Sequence, residues 1–413
     1  MARPTTWIVY VGAYVVCALT PHTLGQFNCG SDGSDGAFHP TSDICIDLSK
    51  AAGATWNSSS PTSGEGIYDV EKWAVVYKYA SVTIPAGVTV RFSNHPKGAP
   101  LVWLVQGDVT IEGNIILDGM AGDLTSEFPL PGPGGFCGGR AGLNGQESSG
   151  GFGPGGANHT GGAQGAGGGY ATEGESETGL AGGGIYGNEQ ITPLIGGSGG
   201  SAGVTGNGGA GGGAILIAAN GCIDIAAGAT ISARGGNGGA AAGGGGSGGA
   251  VRLMAGTISG NGHLIATGGT AGGVGVGDGG MGRVRLEAGT IEFTGTAEPA
   301  ATHGTPDFVF QPNSTAVLRL IGVNTSVVPA DPAAAIFTAD LSTRNSDSVV
   351  LTIEGKNIQT GITVTVHVRP EAGAALSFVS TPLTGTFAAS VATAEVQLPK
   401  KRCEIYLEAN WQP

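Results

Sequence analysis

Glycine constrains this chain before anything else does. It occupies 81 of 413 positions, and 61 of those fall between residues 131 and 300. Glycine loses more conformational freedom on ordering than any other residue, so runs this dense must either stay loose or be packed where a side chain cannot go. The runs do not place glycine at every third position, which excludes a collagen triple helix. A 40% hydrophobic content sets the chain apart from charged disordered tails.

Between the runs lie short segments of β character. SVTIPAGVTVRF and LVWLVQGDVTIEGNIILDG, between Ser81 and Gly119, alternate Val, Ile and Leu with polar residues and end at glycine. That period of two, rich in β-branched residues, predicts half-buried strands, and no stretch sustains a helical period. A repeat then appears. Ala214–Ala218 (AILIA), Ala250–Met254 (AVRLM) and Arg283–Glu287 (RVRLE) recur at 36 and 33 residues, and Ile231–Gly236 and Leu264–Gly269 recur at 33. Such units cannot bury an apolar face alone and must stack. The expected architecture is therefore all-β: a glycine-rich right-handed parallel β-helix over residues 61–304, with an N-terminal cap segment over 26–60. The glycine runs themselves read either as flexible linker or as polyproline-II-like segments packed beside the solenoid. Phe136, Tyr170, Ile185, Tyr186, Leu194 and Ile195 offer apolar anchors, which favours partly ordered loops laid on one face. After residue 305 glycine gives way to Thr, Val and Pro, and strands at 348–353, 363–368, 394–398 and 404–407 predict a small immunoglobulin-like β-sandwich over 305–413. The Pro- and Ala-rich stretch Val328–Ala335 marks a segment near its boundary.

Residues 1–25 have the layout of a secretory signal peptide: Arg3, an apolar run from Trp7 to Thr20, and small residues before Gln26. The run is shorter than the ~20 residues of a spanning helix. Cys17, preceded by Val15-Val16, does not fit a lipidation signal. The mature protein is expected to be secreted or on the cell surface, without membrane insertion after cleavage. Its formal net charge of −13 argues against nucleic acid as a partner. Five cysteines remain, with no CxxC pair, and an oxidising compartment makes Cys29–Cys45 the natural disulfide.

Sites of chemistry are sparse. Gly196–Gly200 and Gly245–Gly249 both match G-x-S-x-G, but neither is followed by the helix a nucleophile elbow needs. His39, His95, His159, His263, His303 and His367 show no metal-ligand spacing. Calcium is the one cation worth weighing, at Asp32-Gly33-Ser34-Asp35-Gly36 and, less well, at Gly273–Asp278. An ordinary Asp-Gly turn explains both equally. Carboxylate catalysis would need two or three converging acids with a base nearby. The candidates on or beside strands are Asp108, Asp118, Asp224, Arg234, Arg252, Arg285 and Glu287. No acidic pair recurs at the coil period, so solvated outward positions are the plainer reading. Asn57, Asn158, Asn313 and Asn324 begin glycosylation sequons.

The segments CGSDGSDGAF, VTIPAGVTVRF, VQGDVTIEGNIILDG, PGPGGFCGG, GGSGGAVRL and GRVRLEAG together resemble a family of exported, glycine-rich bacterial proteins of environmental Gram-negative groups, planctomycetes among them. The resemblance runs from about Cys29 to Glu287. It implies a parallel β-helix and carries no catalytic or cofactor-binding residues. The expected function is a secreted or cell-surface structural or adhesive protein with no catalytic activity and no cofactor, and with polysaccharide or cell-envelope components as partners. The alternatives are a carbohydrate-active β-helix enzyme (a polysaccharide lyase or glycosidase) and, more weakly, an ice- or surface-binding protein. The repeats show no regular Thr-x-Thr ladder for the latter.

Overall fold

The computed structural model describes residues 27–410 except 125–126, 143–146, 160, 162–163, 178, 241, 274–276, 332–340, 342–347 and 400. The expected signal peptide lies outside the described residues, as does the second half of the stretch Val328–Ala335. Contacts divide the chain between Phe310 and Gln311 into two compact units.

The first unit is built mainly on parallel strands, with β4 antiparallel to β5: β1 (Gly36–Phe38), β2 (Ile44–Asp47), β3 (Ala52–Gly53), β4 (Ile67–Asp69), β5 (Ala74–Ile84), β6 (Thr89–Ser93), β7 (Leu101–Val105), β8 (Val109–Ile111) and β9 (Asn114–Ile116). After a long glycine-rich interval come β10 (Ala214–Ala219), β11 (Cys222–Ile225), β12 (Thr230–Ser232), β13 (Ala250–Gly260), β14 (His263–Ile265), β15 (Arg283–Phe293), β16 (Thr296–Glu298) and β17 (Thr302–Gly304). The only described helix is a 3-10 turn at Leu48–Lys50. As the repeat predicts, Val251 pairs with Val284 and Leu253 with Leu286.

The expected right-handed β-helix is nevertheless corrected. β5 and β13 are each 11 residues long, and each pairs along its length with two short strands. The pairing runs β5–β7–β10–β13–β11–β8 and back to β5, so it closes into a six-stranded parallel barrel. β15, β17, β1, β4 and β3 are appended to it. A separate six-stranded parallel sheet has the order β16-β14-β12-β9-β6-β2. A solenoid would require each coil to add equivalent rungs, but the described residues of 117–213 add no strand to either sheet. Repeat spacing reports which strands are neighbours and is silent on how the chain travels between them. Inward residues of both sheets, including Val75, Leu101, Ile217, Leu253, Val90, Ile231 and Leu264, share one core.

The described glycine segments are ordered. Residues 197–202 show how. Gly197 and Gly200 donate to Gly212 and Gly209, at 2.8 and 3.0 Å. Gly199 and Ala202 donate to Phe152 and Ser149, at 2.9 and 3.0 Å. Ser198 donates to the Ser247 hydroxyl, and Ser201 to the Ala166 carbonyl. Partners recur every third residue, so each segment is a three-residue-per-turn extended helix bonded to neighbours on three sides. Residues 243–249 repeat the pattern. Gly243, Gly246 and Gly249 donate to 239, 236 and 233; Gly244 and Ser247 donate to 201 and 198; Gly245 and Gly248 donate to 277 and 280. Phe136, Phe152, Tyr170, Tyr186, Ile191 and Ile195 form a buried apolar cluster within this lattice, whereas Ile185 is exposed.

Where a sandwich is expected over 305–413, the second unit has two antiparallel sheets around one core that includes Leu318, Leu351, Ile353, Val366, Val368 and Leu407. β18 (Val317–Val323), β19 (Ser326–Val327), β20 (Ser348–Lys356), β23 (Thr384–Thr386) and β24 (Ala389–Gln397) form one, in the order β19-β18-β20-β24-β23. β21 (Thr365–Pro370), β22 (Leu376–Val379) and β25 (Cys403–Glu408) form the other, in the order β22-β21-β25.

The lattice makes a sharp prediction. A Cβ at Gly209 would lie 1.8 Å from the Gly236 carbonyl oxygen, whereas one at Gly184 meets nothing within 4 Å. Gly209→Ala should lower the thermal midpoint by several degrees, matching an overpacking cost of about 1–3 kcal/mol or more. Gly184→Ala should leave it within about a degree, since a surface substitution costs at most about 0.5 kcal/mol. Thermal melts of both variants check this.

Candidate functional site

The carboxylates singled out by sequence are held within the fold. Asp108 accepts from the Cys222 amide at 2.8 Å. Asp118 accepts from the Ser232 hydroxyl at 2.5 Å and the Arg234 amide at 2.7 Å, and Asp224 accepts from the Ser259 hydroxyl at 2.7 Å. Each ties its own strand or turn to the next layer, and no two of these three share a partner. Arg234 is exposed on the lattice side of β12.

Arg252, Arg285 and Glu287 do come together. Arg252 and Glu287 are nearly fully buried, and the guanidinium meets the carboxylate through Nε at 3.2 Å and Nη2 at 3.0 Å. Arg285 Nε reaches the same carboxylate at 2.5 Å. Arg252 also donates to the Phe308 carbonyl at 2.9 Å, and Arg285 to the Thr302 hydroxyl at 3.4 Å. One carboxylate thus organises two cations against the segment that follows β16. This is a packed ion triad, and its polar atoms are taken up by each other and by that segment.

In the loop considered for calcium, both carboxylates are engaged by protein donors. Asp35 is buried and accepts four hydrogen bonds: from the Ser60 hydroxyl (2.7 Å) and from the amides of Lys78 (2.6 Å), Gly64 (2.9 Å) and Gly66 (3.2 Å). Asp32 accepts from the Ser59 hydroxyl at 2.6 Å and the Ser34 amide at 3.0 Å. Desolvation pushes the Asp32 carboxyl up, but the bonds from Ser59 and Ser34 and the charge of Lys78 outweigh it and hold the pKa at about 2. Asp278 accepts from the Ala271 amide at 2.6 Å, and residues 274–276 of that second motif lie outside the described residues. Among the described residues no group of three or more His, Cys, Asp or Glu side chains is placed to hold a metal.

Cys29 and Cys45 are not joined. Cys29 is buried with its thiol directed at the Val105 carbonyl (3.3 Å), and Cys45 is exposed on β2, 3.4 Å from the Ser93 hydroxyl. Burial pushes the Cys29 thiol above its ordinary pKa. The two G-x-S-x-G serines, Ser198 and Ser247, are fully buried, and their hydroxyls accept the amides of Gly155 and Ser198. Of the histidines, His39 and His303 are exposed, His95 stacks on Tyr68 at 4.0 Å, and His263 meets the Thr296 hydroxyl at 2.7 Å. His367 lies between the Glu408 carboxylate (2.9 Å) and the Ser377 hydroxyl (3.1 Å).

What remains as a candidate recognition surface is the far end of the lattice. Segments 117–123, 207–213, 233–239, 243–249, 266–272 and 277–282 each join a β-strand at one end. At the other end the described residues are tied to one another: Asn207 donates to the Asp123 carbonyl, Gly239 to Asn207, Gly243 to Gly239, Gly272 to Gly243, Gly165 to Ala242 and Gly277 to Gly165. Asn207, fully buried, ties this end together. Its Nδ2 donates to Asp123 (3.0 Å) and to the Glu127 carbonyl (2.9 Å), and its Oδ1 accepts the Ala141 amide (2.7 Å). Ser148 bridges the amide of Gly142 and the carbonyl of Gly203, both at 3.0 Å. His159 is buried beside Ala202, and desolvation lowers its pKa, keeping the ring neutral at pH 7. Leu124 and Val204 stand more than half exposed on the same end, with Asp123, Glu127 and Thr205 around them. Loops held this way by a rigid scaffold are where binding residues concentrate. Sequence reading missed Asn207 and Ser148, because a Gly-Asn-Gly step in a glycine run carries no mark of long-range bonding.

Two predictions follow from the N-terminal geometry. Iodoacetamide should modify Cys45 in the folded protein and Cys29 only after unfolding, with no Cys29–Cys45 crosslinked peptide by mass spectrometry. Asp32 carries a depressed pKa, so its contribution is present above the ordinary carboxylate pKa and is lost as pH falls towards about 2. The stability deficit of Asp32→Asn at pH 7 should therefore shrink steadily below about pH 4 in urea titrations. In comparisons with known proteins, the chain matches no family model, no curated protein and no solved structure.

Proposed function

We propose that this is an exported structural or adhesive protein, secreted or displayed on the cell surface, with no catalytic activity of its own. In this reading the glycine lattice is a stiff projection and its far end meets polysaccharide or other envelope components. The observation that carries it is the three-sided hydrogen bonding of the lattice. The lattice orders a long, side-chain-poor stretch of chain and ends where Asn207 bonds Ala141 and Glu127 and Ser148 bonds Gly203. Ordering so many glycines is costly at about 1–2 kcal/mol per residue, which favours a role for the rigidity itself. The N-terminal signal layout and the acidic balance fit export. The carboxylates that an enzyme reading would use are engaged with neighbouring strands and with arginines.

A glycan and polysaccharide panel on residues 26–413, scoring binding and product release together, tests this. Binding without new reducing ends or unsaturated products is the expected result. The double variant Leu124→Asp/Val204→Asp should weaken binding at least about tenfold, the equivalent of 1.4 kcal/mol. Product release abolished by alanine at Asp224, Arg252 or Arg285 would overturn the reading in favour of the enzyme.

A further inference from the structure

The ion triad has a second consequence. After β16 the chain turns back across the barrel as residues 302–310 before entering the second unit at Gln311. Its hold is limited. β17 pairs with β15 through three residue pairs (Arg285 with Thr302, Leu286 with His303, Glu287 with Gly304), while β13 and β15 share ten. Val309 and Phe310 pack on an apolar patch on the outer face of the barrel strands, made by Val76, Val102, Leu216 and Met254. Phe310 also meets Trp56 at 5.1 Å between ring centroids, with the Lys72 ammonium 5.9 Å from its ring. Phe308 remains 47% exposed. Its side-chain contacts include those from the triad, Arg285 to the Thr302 hydroxyl and Arg252 to the Phe308 carbonyl, and the Thr302 hydroxyl also lies 3.4 Å from the carbonyls of Glu189 and Val284. Both guanidiniums are aimed by Glu287.

We propose that residues 302–310 are a releasable strap, latched by Glu287 through Arg252 and Arg285, that opens as a unit while the barrel stays folded. Opening uncovers the part of the Val76–Val102–Leu216–Met254 patch that Val309 and Phe310 cover, while Phe27, Trp56 and Leu194 stay packed on the rest. It also adds nine residues of free chain between the two units, about 30 Å when extended. In a protein that holds one surface to another, this is a tether that gives before its scaffold does. The latch does not depend on the adhesive reading, because every contact in it lies within the first unit.

The sign of the Glu287 effect follows from burial. With the strap closed, Arg252 is 3% exposed. Removing the carboxylate leaves that cation buried without its counter-charge, whereas opening the strap lets water reach it. Glu287→Gln must therefore favour the open form. Native-state hydrogen exchange on the full chain, read by mass spectrometry of peptides spanning 302–310 and of peptides within β13 and β15, tests this. In the unaltered protein the strap amides should exchange at least tenfold faster than the β13–β15 ladder. In Glu287→Gln they should exchange about a hundredfold faster again, the factor expected when a buried pair loses one partner, with the ladder little changed. Phe310→Ala, which spares the triad, should move the strap in the same direction by about tenfold. Strap and ladder amides exchanging together in the unaltered protein would overturn the proposal, even if Glu287→Gln fails to fold. So would Glu287→Gln and Phe310→Ala leaving the strap rate unchanged.

Discussion

The rest of the first unit depends on how closely backbones approach one another where no Cβ intervenes. At Gly209, Gly183 and Gly272 a Cβ would stand 1.7–1.8 Å from a neighbouring carbonyl oxygen. That is well inside any permitted contact, so the segments can pack only as glycine. Close approach in turn lets each amide reach a carbonyl on an adjacent segment, and the three-residue period distributes those bonds over three neighbours. The result satisfies buried backbone groups without sheet or helix, which an unpaired loop in the same place could not do. The few large side chains, Phe136, Phe152, Tyr170 and Tyr186, gather in one cluster.

Strands and lattice support one another. Leu117 leaves β9 and Gly213 enters β10, and the Gly213 amide donates to the Leu117 carbonyl at 2.7 Å. Ala233 and Gly249 do the same where β12 ends and β13 begins, at 2.8 Å. The register of the parallel strands therefore continues into the glycine segments. A slip in one would misplace the carbonyls that the other needs. This coupling explains why the acids at the strand ends are spent on alignment: Asp118 bonds Ser232 and Arg234 across the junction between strand and lattice.

Polar residues that look alike in sequence meet different fates for the same reason. Arg234 and Arg252 both follow an apolar residue, Ala233 and Val251. Arg234 faces solvent, while Arg252 is sealed beneath the 302–310 segment and needs Glu287 to be tolerated there. Asp35 reads as half of a cation loop, yet four donors converge on it and leave its carboxylate organising the N-terminal turn. In each case the deciding partner is distant along the chain: Phe308 for Arg252, Lys78 for Asp35.

The sequence by itself determined what is local. Period-two alternation with β-branched residues marked the strands, and the recurrence at 33 residues put Val251 beside Val284, because neighbouring strands must repeat the same inward pattern. The glycine density restricted the intervening segments to loose or side-chain-free packing. Only the tertiary structure chose between those two, because the choice rests on carbonyls contributed by segments as far away along the chain as Gly168 is from Gly280. It also closed the barrel instead of winding a solenoid, since the strand pattern is identical for either path. It separated Cys29 from Cys45, brought Arg252, Arg285 and Glu287 to one point, and gathered Asp123, Glu127 and Ala141 around Asn207. Each of those outcomes depends on which surfaces meet in space, and spacing along a chain does not encode that.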